Sequence, residues 1–278
     1  MLIKLISIFT TYTDPEKRSD PWREALECYN SFADEVIIEG DDWPYEFKWD
    51  LIGKTFQKGF DQCSGDWVIR MDIDYFFHEK DFSNIKKTLE KNSDQPAISF
   101  PQYQFFTYDR FQVKTRLCVA LNKKAFPKIK LNGGGDLCLA TLNNKIISPK
   151  DVPSCSSPIY QYDSYFRDKE TIAEDRARFA RAWFSYFNTY GDRGGKDPEK
   201  AYEAWFSMIK ERYEKHTNRI SLSKHPIFIK DKLGSVSKDQ FGFDAFGLKN
   251  QINNRSMKHY IAGYKERFIN GKVINIKI

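Results

Sequence analysis

The segment that most constrains this chain is residues 65–74, in which a short apolar run ends at two aspartates one residue apart. The run that follows Asp66 has the composition of a buried strand, and Asp72 and Asp74 stand at its carboxyl end. In open α/β sheets, ligands bind at the carboxyl ends of strands. Two carboxylates this close repel each other unless a cation or a donor offsets their charge. The segment therefore predicts a ligand site at a strand end.

The spacing of Asp72 and Asp74 suits a divalent metal ion. Mg²⁺ and Mn²⁺ prefer oxygen ligands, commonly one or two carboxylates together with water and phosphate oxygens. If the strand continues through the motif, its alternation places both carboxylates on one side and Ile73 in the core. We therefore predict that Asp72 and Asp74 bind Mn²⁺ or Mg²⁺. The alternative is a solvated loop, in which such triplets also occur.

The residues before the motif strengthen the metal interpretation. Ile52, Phe56 and Phe60 recur at helical spacing, and Ser64-Gly65 ends this helix just before the strand. The order of helix, Gly-acid-aromatic turn, apolar strand and Asp-x-Asp resembles the core of GT-A-fold glycosyltransferases, particularly the family-2-like group. The resemblance covers about the first 165 residues, which is one domain's worth of chain. It implies an α/β fold with a Rossmann-like, mainly parallel sheet flanked by helices.

The remaining elements agree with a parallel sheet. Residues 2–9 and 34–39 have strand composition, and the helix between them is predicted to begin at Ser19-Asp20-Pro21. Strands that alternate with helices favour right-handed crossovers in a mainly parallel sheet. Beyond residue 165 the pattern is mainly helical. We expect residues 1–165 to form a nucleotide-sugar-binding catalytic domain and residues 166–278 a helical extension packed on it, with a possible role in acceptor binding.

Composition and charge exclude several classes of protein. The 278 residues are 41% hydrophobic and 16% aromatic, which excludes a disordered chain. The net charge of +6 comes from basic residues interspersed with 38 acidic ones, so nucleic-acid binding is not indicated. A mild positive charge suits a polyanionic ligand such as a nucleoside diphosphate, or peripheral contact with an acidic membrane.

The cysteine spacing and the hydropathy pattern indicate the cellular compartment to expect. The five cysteines are scattered without Cys-x-x-Cys spacing, and an odd count argues against a disulfide framework. No segment approaches the roughly 18 apolar residues of a membrane span, and the first apolar run is too short for a signal peptide. We therefore expect a cytoplasmic protein with reduced cysteines and no transmembrane segment.

The resemblance also implies residues that contact the nucleotide. In the resembled family the first strand ends in a Pro-Thr-Tyr-Asn-like tetrapeptide that contacts the nucleoside, and Thr11 and Tyr12 match its middle. An aspartate after the second strand contacts the base or ribose there, and Glu39, Asp41 or the adjacent Asp42 is the counterpart here. Lys54 lies near the position where relatives carry an Arg or Lys in the helix before the motif, which makes it the candidate to assist at the phosphates. Ordinary solvated turns are the alternative for the residues at the two strand ends.

Two later segments bear on catalysis. Three glycines precede Asp136 and allow the backbone to approach a ligand closely. In the resembled enzymes an acid in this region acts as the general base on the acceptor hydroxyl, which makes Asp136 the candidate, with a plain glycine-rich hairpin as the alternative. Residues 158–165 resemble the strand that closes the family's domain. Gln161 stands where relatives carry a histidine that completes the metal site, so the third ligand is open among Gln161, His78 and water.

Together these features predict a metal-dependent glycosyltransferase of the hexosyltransferase type. Its donor would be a UDP- or GDP-sugar, and its acceptor a hydroxyl group, as in polysaccharide or glycan synthesis. With Asp136 as the base, the reaction would invert the anomeric centre. One alternative is a nucleotidyltransferase of similar fold, but the glycine-rich signature expected after the first strand is absent from residues 10–18. The other is a non-catalytic binding protein.

Overall fold

A mixed sheet forms the centre of the structure, a computed structural model that describes residues 5–40, 43–131, 139–162, 164–216 and 218–235. Seven of its strands lie side by side in the order β2, β1, β3, β6, β5, β10, β4, and β11 pairs with β6. Their bounds are β1 Ile6–Thr11, β2 Glu35–Glu39, β3 Trp67–Arg70, β4 Tyr75–Phe76, β5 Ala97–Thr107, β6 Arg110–Asn122, β10 Ile159–Gln161 and β11 Asn218–Arg219.

Most strands of this sheet point in one direction. Strand β1 pairs in parallel with β2 and β3, and β5 pairs in parallel with β10. Strand β6 runs antiparallel between β3 and β5, and β4 runs antiparallel to β10. Among the described strands of the sheet, six of eight therefore share one direction. The predicted α/β class, with a mainly parallel sheet flanked by helices, is confirmed.

Helices cover both faces of the sheet. These are α1 (Trp22–Phe32), α2 (Trp49–Gln62) and α3 (Phe82–Lys91). Ile8 packs in one core cluster with residues of α1 and α3, and its neighbour Phe9 packs in a second cluster with residues of α2. Ile8 and Phe9 can be consecutive apolar residues because both faces of β1 are buried.

The glycine-rich segment connects two strands of a smaller, three-stranded sheet. Strands β7 (Ile129–Leu131), β8 (Ala140–Leu142) and β9 (Lys145–Ile146) pair antiparallel in sequence order. Leu131 pairs with Ala140 at the point where the connection leaves the sheet. Asp136 lies in this connection, among residues 132–138, outside the described residues.

Within the described residues after β10, up to Ser235, three α-helices follow. They are α4 (Lys169–Phe187), α5 (Pro198–His216) and α6 (Ile227–Ser235). Helices α4 and α5 pack together through Ile172, Trp205 and Ile209. Ile229 of α6 joins the core cluster that contains Ile8, so this helix packs on the sheet domain. Within the described residues, none of the helices combines the length and the apolar character needed to cross a bilayer.

A buried histidine fixes the start of α6. His225 is fully buried, with its Nε2 2.6 Å from the Tyr108 carbonyl oxygen and its Nδ1 2.7 Å from the Tyr162 hydroxyl. A carbonyl only accepts hydrogen bonds, so Nε2 carries the proton and the tyrosine donates to Nδ1. Burial lowers the pKa of His225 to about 4. The histidine is therefore neutral in the folded protein at neutral pH.

We expect His225 to make the protein less stable as the pH falls from 6.5 to 5. The unfolded chain takes up a proton near pH 6.5 but the folded protein does not, which costs up to about 1.4 kcal/mol per pH unit. His225→Gln keeps one donor and one acceptor but does not titrate. Urea unfolding at both pH values should show a smaller loss of stability in this variant. Equal losses in the variant and the unmodified protein would contradict the assignment.

Candidate functional site

A cleft of about 280 Å³ opens at the carboxyl ends of β1 and β3. One side consists of the residues that follow these strands, and the other side is formed by α4 and the segment before it. The lining residues are Thr11, Tyr12, Thr13, Arg18, Asp20, Trp43, Phe47, Ile52, Phe56, Arg70, Asp72, Ile73, Asp74, Gln161, Arg167, Asp175, Arg176, Arg178 and Phe179. The cleft thus lies where ligands bind in open α/β sheets.

The Asp-x-Asp motif is a turn, not a continuation of the strand. Strand β3 ends at Arg70, and the amide of Tyr75 donates a hydrogen bond to the Asp72 carbonyl oxygen at 2.7 Å. Strand alternation therefore does not apply to the motif. Ile73 is buried, but it lines the cleft together with Asp72 and Asp74. Ile73 is thus buried as expected, but in a turn and not through strand alternation.

Buried groups on both sides hold this turn in place. The hydroxyl of Tyr29, which is fully buried in α1, lies 2.6 Å from the Asp72 carbonyl oxygen and 2.9 Å from that of Tyr75. The amide of Tyr162 donates to the Asp74 carbonyl oxygen at 3.0 Å. These contacts use the backbone atoms of Asp72 and Asp74, not their carboxylates.

Each carboxylate of the motif has a polar neighbour. The Arg70 guanidinium lies 3.9 Å from Asp72 Oδ2, and Gln161 donates from Nε2 to Asp74 Oδ2 at 3.4 Å. The Oε1 of Gln161 accepts from Gln102 at 2.7 Å. Gln161 therefore presents its NH₂ group to Asp74, and its carbonyl oxygen is directed to another side chain. This arrangement disfavours Gln161 as a metal ligand.

His78 is not brought to the cleft. It is buried, its Nδ1 lies 3.0 Å from Glu79, and its ring packs against Tyr160. Among the described residues, no group of three or more His, Cys, Asp or Glu side chains is placed to hold a metal ion. Two carboxylates with water and phosphate oxygens fit a hard divalent cation such as Mg²⁺ or Mn²⁺. Neither Gln161 nor His78 presents an acceptor atom to the two carboxylates in this structure.

The residues expected to contact the nucleotide divide into two groups. Thr11 and Tyr12 both line the cleft, and the Tyr12 ring packs against Trp22 with the ring centres 5.8 Å apart. Glu39 is the strand partner of Thr11, but its carboxylate is buried against α2, where it pairs with Lys58 at 2.8 Å. The same edge of the sheet thus holds all three residues, but only the first two reach the cleft.

Lys54 lies apart from the cleft, and Asp41 is outside the described residues. Lys54 is on the exposed side of α2 and pairs with Asp50 at 3.1 Å. Ile52 and Phe56 of the same helix line the cleft instead. The structure therefore gives Lys54 no contact with the cleft.

Sequence reasoning missed a set of arginines on the opposite side. Arg18 and Arg167 each bind both Asp20 and Asp175, at 2.7 to 3.1 Å, and Arg178 lies 3.5 Å from Asp175. We call Arg18, Arg167 and Arg178 the arginine cluster. The helix predicted to begin at Ser19-Asp20-Pro21 has Pro21 as its N-cap and no side-chain cap, and the Asp20 carboxylate instead joins this cluster. The cluster therefore joins the loop after β1 to α4.

The local sequence explains how α4 supplies its part of the cluster. Asp168 begins the helix by accepting a hydrogen bond from the Thr171 amide at 2.7 Å. Asp175 follows Ile172 by three residues and precedes Phe179 by four, so these side chains share one face. A charged residue within this otherwise apolar face was the one signal in the sequence that could have indicated a buried ion pair.

Comparisons with known proteins identify no family for this chain. No protein-family model and no curated protein matches it. Among solved structures, it is similar to that of S. aureus TarS 1-349, with 11% identity, 75% of this chain and 80% of that chain covered, and a TM-score of 0.32. The same protein in complex with UDP-GlcNAc matches with 8% identity, coverage of 75% and 72%, and a TM-score of 0.37. Its complex with UDP matches with 10% identity, coverage of 82% and 77%, and a TM-score of 0.34.

Proposed function

We propose that this chain is a metal-dependent glycosyltransferase that uses a nucleotide-diphosphate sugar. The observation that carries the proposal is the position of one cleft at the carboxyl ends of two parallel strands, which brings Thr11 and Tyr12 together with Asp72 and Asp74. The resemblance to GT-A-fold glycosyltransferases assigns these four residues to the nucleotide and the metal ion. We propose that the cleft lined by these four residues is the donor site.

Each part of the cleft has a proposed role. Asp72 and Asp74 hold Mn²⁺ or Mg²⁺, which when bound neutralises charge on the leaving diphosphate. Thr11 and Tyr12 contact the nucleoside. The apolar rings that line the cleft, including Phe56 and Phe179, exclude water from the donor.

The acceptor side of the reaction is proposed from the sequence. Asp136 acts as the general base that takes the proton from an acceptor hydroxyl. The hydroxyl then attacks the anomeric carbon from the face opposite the leaving diphosphate, which inverts that centre. Glycan hydroxyls are the proposed acceptors. Loss of glycosyl transfer in Asp136→Asn, with donor binding retained, is the result that this role requires.

The donor site can be tested by calorimetric titration of UDP and GDP into the purified protein. We expect one of the two nucleotides to bind, and Mn²⁺ or Mg²⁺ to tighten its binding at least about tenfold relative to EDTA. Release of the same nucleotide from its sugar conjugates would then identify the donor. Absence of nucleotide binding under all conditions would contradict the proposal, and binding without release would favour a non-catalytic binding protein.

The orientation of Gln161 makes a separate prediction about the metal site. Gln161→Leu removes the group that donates to Asp74, and the loss of such an outer partner typically weakens metal binding by about 10- to 100-fold. We expect the weakening in a Mn²⁺ titration followed by electron paramagnetic resonance. Gln112→Leu is the matched control, because Gln112 bonds Gln104 at 2.6 Å and does not line the cleft. Equal Mn²⁺ affinities in the two variants would contradict a role for Gln161.

A further inference from the structure

We propose that the arginine cluster is a phosphate-binding wall that holds the diphosphate of the nucleotide even when no metal ion is present. The inference rests on the proposed function for the identity of the ligand. It adds a second source of positive charge to a site that the sequence assigns to a metal ion. The metal then strengthens nucleotide binding but is not required for it.

The first argument is the unbalanced charge of the cluster. Three arginines share two aspartates, and Asp20, Asp175 and Arg178 are all less than 9% exposed. A charge in such surroundings is costly unless it is paired and hydrogen-bonded. The cluster therefore has one positive charge more than its own aspartates can balance, and an anion in the cleft would balance it.

The second argument is the state of Arg178. It is 6% exposed, lines the cleft, and packs over the Phe47 ring at 4.3 Å from its centre. Within the described part of the chain its Nε has no hydrogen-bond partner. Its Nη atoms make only long contacts, 3.5 Å to Asp175 and 3.4 Å to the Pro44 carbonyl oxygen, so the protein satisfies this guanidinium weakly. A planar guanidinium in this state suits the oxygens of a phosphate group. Burial also lowers the pKa of Arg178, as expected for a cation poorly solvated by water.

The third argument is that the cluster and the Asp-x-Asp turn face the same space. Burial lowers the pKa of Arg167, but Asp20 and Asp175, with a smaller contribution from Asp74, raise it above its ordinary value. Among the described lining residues, five arginines outnumber four aspartates, so these side chains together carry one net positive charge. A diphosphate between the two sides would contact the arginines on one side and a cation held by Asp72 and Asp74 on the other.

The test uses the 278-residue chain and three ligands, UDP, GDP and inorganic pyrophosphate, each titrated with EDTA and with Mn²⁺. We expect pyrophosphate and one nucleotide to bind in EDTA, more weakly as salt increases. Arg178→Gln should weaken this binding by about 10- to 100-fold, the equivalent of the loss of one charged hydrogen bond. Arg178→Lys keeps the charge but not the planar set of donors, so its affinity should fall less than that of Arg178→Gln.

The control is Arg181→Gln, one turn further along α4. Arg181 pairs with Glu46 at 2.6 Å and Glu174 at 3.2 Å and does not line the cleft, so its replacement should leave binding in EDTA unchanged. Thermal unfolding of each variant shows whether it is folded. If Arg178→Gln does not fold, the affinities of Arg178→Lys and Arg181→Gln for pyrophosphate in EDTA are compared. Weaker binding in Arg178→Lys would support the proposal, and equal binding would contradict it.

The outcomes separate this inference from the proposed function. Nucleotide binding that occurs only with Mn²⁺, or that is equal in the Arg178 and Arg181 variants, would contradict phosphate binding by the arginine cluster. The glycosyltransferase proposal would remain intact. Pyrophosphate binding in EDTA that depends on Arg178, with no preference for either nucleotide and no release from nucleotide sugars, would support an anion site and contradict the proposed function.

Discussion

Replacing Asp72 and Asp74 together by asparagine should lower the release of nucleotide from the donor sugar by at least about 1000-fold. A bound cation contributes several kcal/mol to the stabilisation of a charged leaving group, and each 1.4 kcal/mol is a factor of ten in rate. The backbone of the turn is held by Tyr29 and Tyr162, so the double variant should fold normally. The measurement is the rate of UDP or GDP release from its sugar conjugate at saturating Mn²⁺.

Asp66→Asn provides the matched control for this double variant. Asp66 stands at the opposite end of β3, pairs with Lys124 at 3.1 Å and does not line the cleft. We expect its replacement to change the rate of release less than about twofold, because this ion pair lies at the end of β3 away from the cleft. A double variant that releases nucleotide as fast as Asp66→Asn would contradict a metal site at Asp72 and Asp74.

Asp175→Asn should lower the free energy of unfolding by about 3 to 5 kcal/mol, because it leaves buried charges without their partner. Asp175 accepts two bonds from Arg18 at 2.9 Å and one from Arg167 at 3.1 Å. One substitution therefore removes the negative charge that the arginine cluster shares. Urea unfolding followed by circular dichroism measures the change, and the melting temperature should fall by roughly 10 °C.

The control for Asp175 is Asp192→Asn. Asp192 also pairs with an arginine, Arg193 at 2.9 Å, but its side chain is 84% exposed. Exposed pairs contribute at most about 1 kcal/mol, so this variant should unfold close to the unmodified protein. Similar stabilities for the two variants would show that the arginine cluster is solvated and would weaken the case for an anion site there.

Local sequence patterns determined the main elements around the cleft. Ile52, Phe56 and Phe60 recur at the period of a helix, and all three are buried in α2. The apolar run after Asp66 forms β3 in the middle of the sheet. These features follow from side-chain spacing and hydrophobicity within ten to fifteen residues, so they can be read without knowledge of distant contacts.

Side-chain directions at the sheet edge could not be read in the same way. Thr11 and Glu39 were both expected at the nucleotide, and strand pairing does place them side by side. The Lys58 ammonium group draws the Glu39 carboxylate toward α2, and Asp50 pairs with Lys54 on the exposed side of the same helix. Which charged partner is within reach depends on helix packing, and helical spacing alone does not reveal it.

The sequence by itself determined the alternation of strands and helices and the position of two aspartates at a strand end, because both depend on neighbouring residues. Only the tertiary structure decided that the motif is a turn, that Gln161 presents its NH₂ group to Asp74, and that α4 supplies charge to the cleft. Arg18 and Asp175 are 157 positions apart, and no local period relates them. They meet because α4 packs across the strand ends, and burial there leaves each charge dependent on its partners.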